Sequence, residues 1–220
     1  MNVMILGILI VANFLAVIIL SRFGKIWITV LLPLLLVSGA IFSVKWLNVM
    51  GFDINVGNIF YATTFIIMHI LIEQGKKKEA FLAIWVSAGA LAYFSLITFF
   101  ATTLNPNSQE SISSAMSLVF STTLRGTMAS IFAFVLAQHT NIWIYDYFYK
   151  KHRGGKVLVR SSIAIIIGQL VDSVLFFSVA FYEVLPLSVL LTAGLTGFVV
   201  KAIIGIVGSP LLYVERRLRG

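Results

Sequence analysis

Seven long apolar runs constrain the fold more than any other feature of this sequence. They cover residues 3–20, 26–44, 56–72, 80–101, 115–138, 157–182 and 186–209, each 17–26 residues long. A helix rising 1.5 Å per residue needs about 20 such residues to cross ~30 Å of hydrocarbon. Strands of a membrane barrel would instead alternate in polarity over about ten residues. Nothing left over is long enough for a soluble domain. The expectation is one polytopic domain, 1–220: an all-α integral membrane protein, a bundle of about seven transmembrane helices. Composition agrees, with 60% hydrophobic and 11% charged residues against the ~25% charge of soluble domains. No Lys or Arg precedes the first run and no small-residue cleavage site follows it. It therefore reads as a retained helix rather than a removed leader.

The net charge of +8 sits at the ends of the runs. Arg22 and Lys25 occupy loop one, and Lys76, Lys77 and Lys78 loop three. Lys150, Lys151, Arg153 and Lys156 occupy loop five, with Arg160 just beyond, and Arg216, Arg217 and Arg219 the tail. Loops four and six carry no Lys or Arg, and loop two only Lys45 at its edge. This alternation requires an odd number of spans. It predicts an outside N-terminus and a cytoplasmic C-terminus, in a multi-pass protein of the cell membrane. Topology and anionic headgroups explain the positive charge better than nucleic acid does. Trp27, Trp46, Trp143, Tyr145 and Tyr147 fall at expected span ends, where amphipathic rings favour the headgroup zone. In loop four, Asn105-Pro106-Asn107-Ser108 is a turn signal.

The chemistry of soluble enzymes is missing. There is no cysteine, and the three histidines have no metal-ligand spacing. No P-loop, dinucleotide fingerprint or G-x-S-x-G occurs, and no serine is marked by a partner base. The expectation is no catalytic site, no metal and no cofactor. No inverted repeat stands out.

The informative residues are those a bilayer should reject. A mid-membrane charge costs at least ~2.5–3.5 kcal/mol unless it is paired or faces a cavity. Gln169, Asp172 and Ser173 share one face of span six. They form either a pocket wall or half of a structural pair. Arg125 lies about ten residues into expected span five and needs an acceptor, for which Asp172 is a candidate. Lys201 sits in span seven within a stripe of Gly194, Gly197, Gly205 and Gly208, which reads as close helix packing. Span three presents Asn58, Tyr61, Phe65, His69 and Glu73 at helical spacing. His69 reads as a structural hydrogen-bonding residue or as a proton-coupling group. Glu73 is within reach of the loop-three lysines. The shared expectation is that Arg125, Asp172 and Lys201 converge on one wet cavity.

Three segments resemble the queuosine precursor transporters, a family also described as vitamin uptake transporters. The first is Gly57-Asn58-Ile59-Phe60-Tyr61-Ala62-Thr63-Thr64-Phe65 with His69-x-x-x-Glu73-x-Gly75-Lys76-Lys77. The second is Leu124-Arg125-Gly126-Thr127-Met128-Ala129-Ser130, running on to Gln138 and Asn141-Ile142-Trp143-Ile144-Tyr145. The third is Arg160-Ser161-Ser162, Gly168-Gln169-x-x-Asp172-Ser173 and Phe176-Phe177, then Lys201 and Pro210-x-x-Tyr213. The match runs from about residue 44 to 213. It departs from the family pattern at His69, where relatives carry an acidic residue. Glu73 and Gly75 also stand one residue closer than usual, and Ala40 and Phe42 replace an Asn and a Gln. The resemblance implies import of a deazaguanine precursor of queuosine or archaeosine. Phe65, Phe132, Phe176 and Phe177 would then stack on the ring, and Asn58, Tyr61, His69, Arg125, Gln169, Asp172 and Lys201 would serve its polar edges. Asp172 would accept from an amine edge. Expected partners are a small heteroaromatic ligand and the bilayer, with self-association left open. Two alternatives stand beside this: a binding component that needs an energising partner complex, and a scaffold whose ionisable groups bind one another.

Overall fold

The computed structural model describes residues 2–49, 51–107, 111–120, 124–152, 155–184 and 186–219, with backbone only for Leu124 and Arg219. Ser108, Arg153 and the Arg219 side chain therefore lie outside the described residues. Seven helices take up the seven expected spans: α1 (Asn2–Arg22), α2 (Lys25–Phe42), α3 (Gly57–Glu73), α4 (Lys77–Thr103), α6 (Leu124–Lys151), α7 (Val157–Phe181) and α8 (Leu187–Gly208). A short α5 (Ser113–Val119) precedes α6, and α9 (Leu211–Arg219) folds the tail back on the bundle. Five of these segments are long and apolar enough to cross a membrane: α1, α2, α4, α7 and the stretch Leu187–Leu218. At 17 residues, α3 is shorter, but it lies at the centre: every residue from Ala62 to Glu73 is buried. A helix enclosed by other helices need not match the bilayer thickness itself.

Span five departs from expectation. The helix starts at Leu124 rather than 115 and runs on to Lys151. Arg125 thereby moves from mid-span to a helix end. In exchange, the polar stretch Gln138, Asn141 and Tyr145 enters the bundle interior, where all three are fully buried. Those groups find partners there that lipid would not supply. Of the five aromatic residues expected in the headgroup zone, Trp27, Trp46, Trp143 and Tyr147 are exposed; Tyr145 faces inward.

Loop two holds a structure the sequence reading did not anticipate: strands β1 (Trp46–Val49) and β2 (Phe52–Asn55) form an antiparallel hairpin. Gly51, at φ 86°, sits in its turn, a conformation that favours glycine. Asn55 then ties the hairpin to the bundle, accepting from the Gly57 amide at 2.8 Å and donating to the Ser43 carbonyl.

The basic loops meet at one end of the bundle. Lys25 of loop one pairs with Glu79 after loop three at 2.8 Å. Lys77 of loop three pairs with Asp146 near the end of α6 at 2.5 Å, and Lys150 adds a contact at 2.9 Å. Arg216 of α9 reaches Glu73 at the end of α3. The charge alternation in the sequence thus corresponds to a physical end of the molecule.

Candidate functional site

Helix α3 runs toward the basic end and α7 runs away from it, so their facing residues pair in opposite order. Tyr61 meets Asp172, Phe65 lies against Gly168, His69 meets Ser161 and Glu73 meets Arg160. Positions four apart return to nearly the same face of a helix, which is why the stripe in span three and the motifs in span six interlock. Tyr61 and Glu73 are twelve residues apart, about 18 Å along a helix. Two charged layers therefore bracket the ladder.

In the first layer, the Tyr61 hydroxyl donates to Asp172 Oδ1 and the Lys201 ammonium to Asp172 Oδ2. The ammonium also lies 5.3 Å from the centre of the Tyr61 ring. Asp172 and Lys201 are each only 6% exposed. A buried carboxylate and ammonium are tolerated because each compensates the other. Lys201 reaches this position from the glycine stripe of α8, and the stripe is packing. A Cβ at Gly205 would approach Ile165 of α7 to 2.8 Å, and one at Gly208 would approach Phe14 of α1 to 2.9 Å. Beside the charged pair, both amide atoms of Gln169 and the hydroxyl of Ser173 are buried without a hydrogen-bond partner among the described residues. Phe134 closes the layer, its ring 6.1 Å from that of Tyr61.

In the middle, Gln138 donates to Thr64 Oγ1 at 2.8 Å, and Asn141 donates to Gln138 Oε1 at 3.3 Å. The side-chain oxygen of Asn141 accepts from His69 Nε2 at 2.9 Å, and Nδ1 is hydrogen-bonded to the Ser161 hydroxyl at 3.0 Å. Both ring nitrogens thus have side-chain partners, and the ring stacks 3.9 Å from that of Tyr145.

In the second layer, Glu73 is held by side chains from three other helices. Arg160 and the Tyr145 hydroxyl (2.6 Å) meet Oε1, and the Arg216 guanidinium grips Oε2 with two nitrogens. Arg160 has no solvent exposure and its guanidinium lies 5.0 and 4.9 Å from the rings of Tyr145 and Tyr149. The expected pairing of Glu73 with the loop-three lysines is replaced by these contacts, since its side chain points into the bundle. Gln74 adds a bond to Glu215 of α9 at 2.9 Å.

Arg125 is not part of either layer. Its Nε and Nη2 donate to the carbonyls of Val179 and Tyr182 at 2.6 and 2.8 Å. These are end-of-helix carbonyls of α7, which lack intrahelical donors. The expected convergence thus holds for Asp172 and Lys201 and fails for Arg125. Asp172 and Lys201 are shielded from solvent where α3, α7 and α8 meet, so the wet cavity expected around the pair does not open to the surface in this structure. Asn58 lies half-buried one turn before Tyr61. Phe176 is half-buried and packs on Phe177 and Phe181 at 5.3 and 5.8 Å. Phe132 is 49% exposed and points away from the layer that Phe134 joins. The sequence reading missed Phe134, Arg160, Gln138 and Asn141 as parts of the polar interior. The signal available was helical spacing: Phe134, Gln138, Asn141 and Tyr145 stand four, three and four residues apart on α6, and Arg160 stands twelve before Asp172 on α7.

The profile of the family described as "Putative vitamin uptake transporter" matches residues 55–215, a stretch holding the first layer and, of the second, Glu73, Tyr145 and Arg160. A Bacillus subtilis (strain 168) protein named "Probable queuosine precursor transporter" is 23% identical over 197 residues, 89% of this chain and 86% of that protein. No solved structure matches the chain. With the profile spanning most of the sequence and the buried ladder inside the matched region, the chain belongs to the vitamin uptake transporter family and is a multi-pass membrane transporter.

Proposed function

We propose that this transporter imports a 7-deazaguanine-type precursor of queuosine or archaeosine, with the basic end of the bundle on the cytoplasmic side. The name of the Bacillus subtilis relative points to that substrate. The observation that carries the reading is the first charged layer. A paired Asp172 and Lys201 are buried in the bundle one turn from Gln169, and the hydrogen-bonding groups of Gln169 and Ser173 have no partner among the described residues. A scaffold gains nothing from burying unpartnered polar atoms, which costs about 1–3 kcal/mol per group. A binding site recovers that cost when a ligand arrives.

In this reading the structure is an occluded, ligand-free state. Parting of α7 and α8 from α3 on the non-basic side admits a flat ring between Tyr61, Phe65, Phe134 and Phe176. The Glu73 layer meanwhile keeps the opposite end shut. Breaking the Glu73 contacts with Arg160 and Arg216 then opens the way to the cytoplasm. Cells unable to make queuosine test this directly. With the gene supplied, feeding a deazaguanine precursor should restore modified tRNA, and the Lys201→Met, Asp172→Asn double variant should not. Equal modification with an empty vector would refute the proposal. Uptake of the same precursor by the pure protein in liposomes decides whether an energising partner is needed.

A further inference from the structure

Gln169 is fully buried, and neither its amide oxygen nor its nitrogen has a partner among the described residues. Its position says what surrounds it. At 100° per residue, Ile165, Gln169, Asp172, Ser173 and Phe176 fall within an arc of about 100° on α7. On that arc Asp172 joins Tyr61 of α3 and Lys201 of α8, and Ile165 lies against Gly205 of α8. Gln169 therefore lies on the side of α7 that packs against α8, between Ile165 and Phe177, one turn from the charged pair. Each oxygen of Asp172 already has a donor, and its charge is balanced by Lys201. The unspent capacity at this site lies with Gln169, supported by the free hydroxyl of Ser173.

A carboxamide presents one acceptor and one donor side by side. It pairs at two points with a ring edge that carries a donor next to an acceptor, and it mismatches an edge made of two acceptors. We infer that Gln169 is the specificity-determining residue of this site and that it reads the lactam edge of the ligand, a ring N–H beside a ring carbonyl. The inference rests on the reading that the first layer binds substrate. It also explains why an unpartnered amide stands in the bundle: its folded-state partner is the ligand.

The test uses the full-length protein in lipid nanodiscs, with 7-deazaguanine and its O6-methyl ether, in which the lactam N–H is lost. Binding is read by calorimetry and unfolding temperature without ligand by scanning fluorimetry. The wild type should bind the lactam at least tenfold more tightly than the ether. Gln169→Leu should lose at least tenfold in affinity for the lactam and lose the preference. Its ligand-free unfolding temperature should stay the same or rise, because an orphaned amide gives way to a packed side chain. Ser173→Ala should keep the preference with weaker binding. A Gln169→Leu protein that still discriminates, or that unfolds several degrees lower without ligand, overturns the inference and makes Gln169 structural. Wild-type binding of both probes with equal affinity overturns it while leaving the substrate reading intact. Wild-type binding of neither overturns both.

Discussion

Replacing Asp172 by Asn keeps the shape of the first layer and removes its negative charge, leaving the Lys201 ammonium buried at 6% exposure. Stranding one member of a buried ion pair costs about 3–5 kcal/mol. A second argument bounds the figure. An isolated ammonium can release its proton to water, which for an ordinary lysine at pH 7 costs about 5 kcal/mol. Lys201→Met strands the carboxylate instead. Its escape, protonation at pH 7, costs about 4 kcal/mol for an ordinary aspartate. The double variant strands neither charge and should lie within about 2 kcal/mol of the wild type. Additive behaviour would predict a loss of roughly 6–9 kcal/mol, so the expected coupling is on the order of 5 kcal/mol. Helices unfolded within a bilayer also find polar partners, which pulls these values toward their lower ends. Reversible unfolding in bicelles, run on the four proteins as a double-mutant cycle, measures the coupling. Single variants that each cost under ~1 kcal/mol and simply add would refute the argument, because the pair would then not be desolvated.

Glu73→Gln should destabilise more than Asp172→Asn in the same assay, because it leaves Arg160 and Arg216 facing each other and a guanidinium cannot shed its proton. A smaller loss would show that the second layer is open to water. Gly168→Ala should cost about 1–3 kcal/mol through overpacking, since the new Cβ would stand 2.7 Å from Phe65 Cε1 and 3.1 Å from Asn141 Cβ; unchanged thermal stability would mean that α3 and α7 are not this close. Arg216→Gln should free α9, read as faster proteolysis within residues 211–219, while the bundle persists through Arg160. At the basic end, burial pushes the Asp146 carboxyl up, but Lys77 and Lys150 outweigh it and hold it below the usual range. Its contribution is therefore present above an unfolded value near ~4 and lost as pH falls through the lower folded value. Asp146→Asn should flatten stability against pH in that acid window, and an identical acid profile would remove the pairing from the account.

The sequence by itself determined the parts set by local composition. Apolar runs of helical length placed seven helices, because the bilayer forbids an unpaired backbone. The alternation of Lys and Arg sorted the loops into two ends, and Lys25–Glu79 and Lys77–Asp146 show the basic ones together. The four-residue phase of Tyr61, Phe65, His69 and Glu73 marked one face of a buried helix. Pairing across helices was another matter. Asp172 had two cations to choose from, Arg125 and Lys201, and hydropathy treats both alike. The choice followed from where α6 begins: a start at Leu124 carries Arg125 to the end of α7, and close packing along the glycines of α8 brings Lys201 inward. Glu73 likewise found Arg160 and Arg216, 87 and 143 residues away, rather than its lysine neighbours. A charge in a membrane goes to whichever partner the packing brings within reach, and packing is a property of several helices at once.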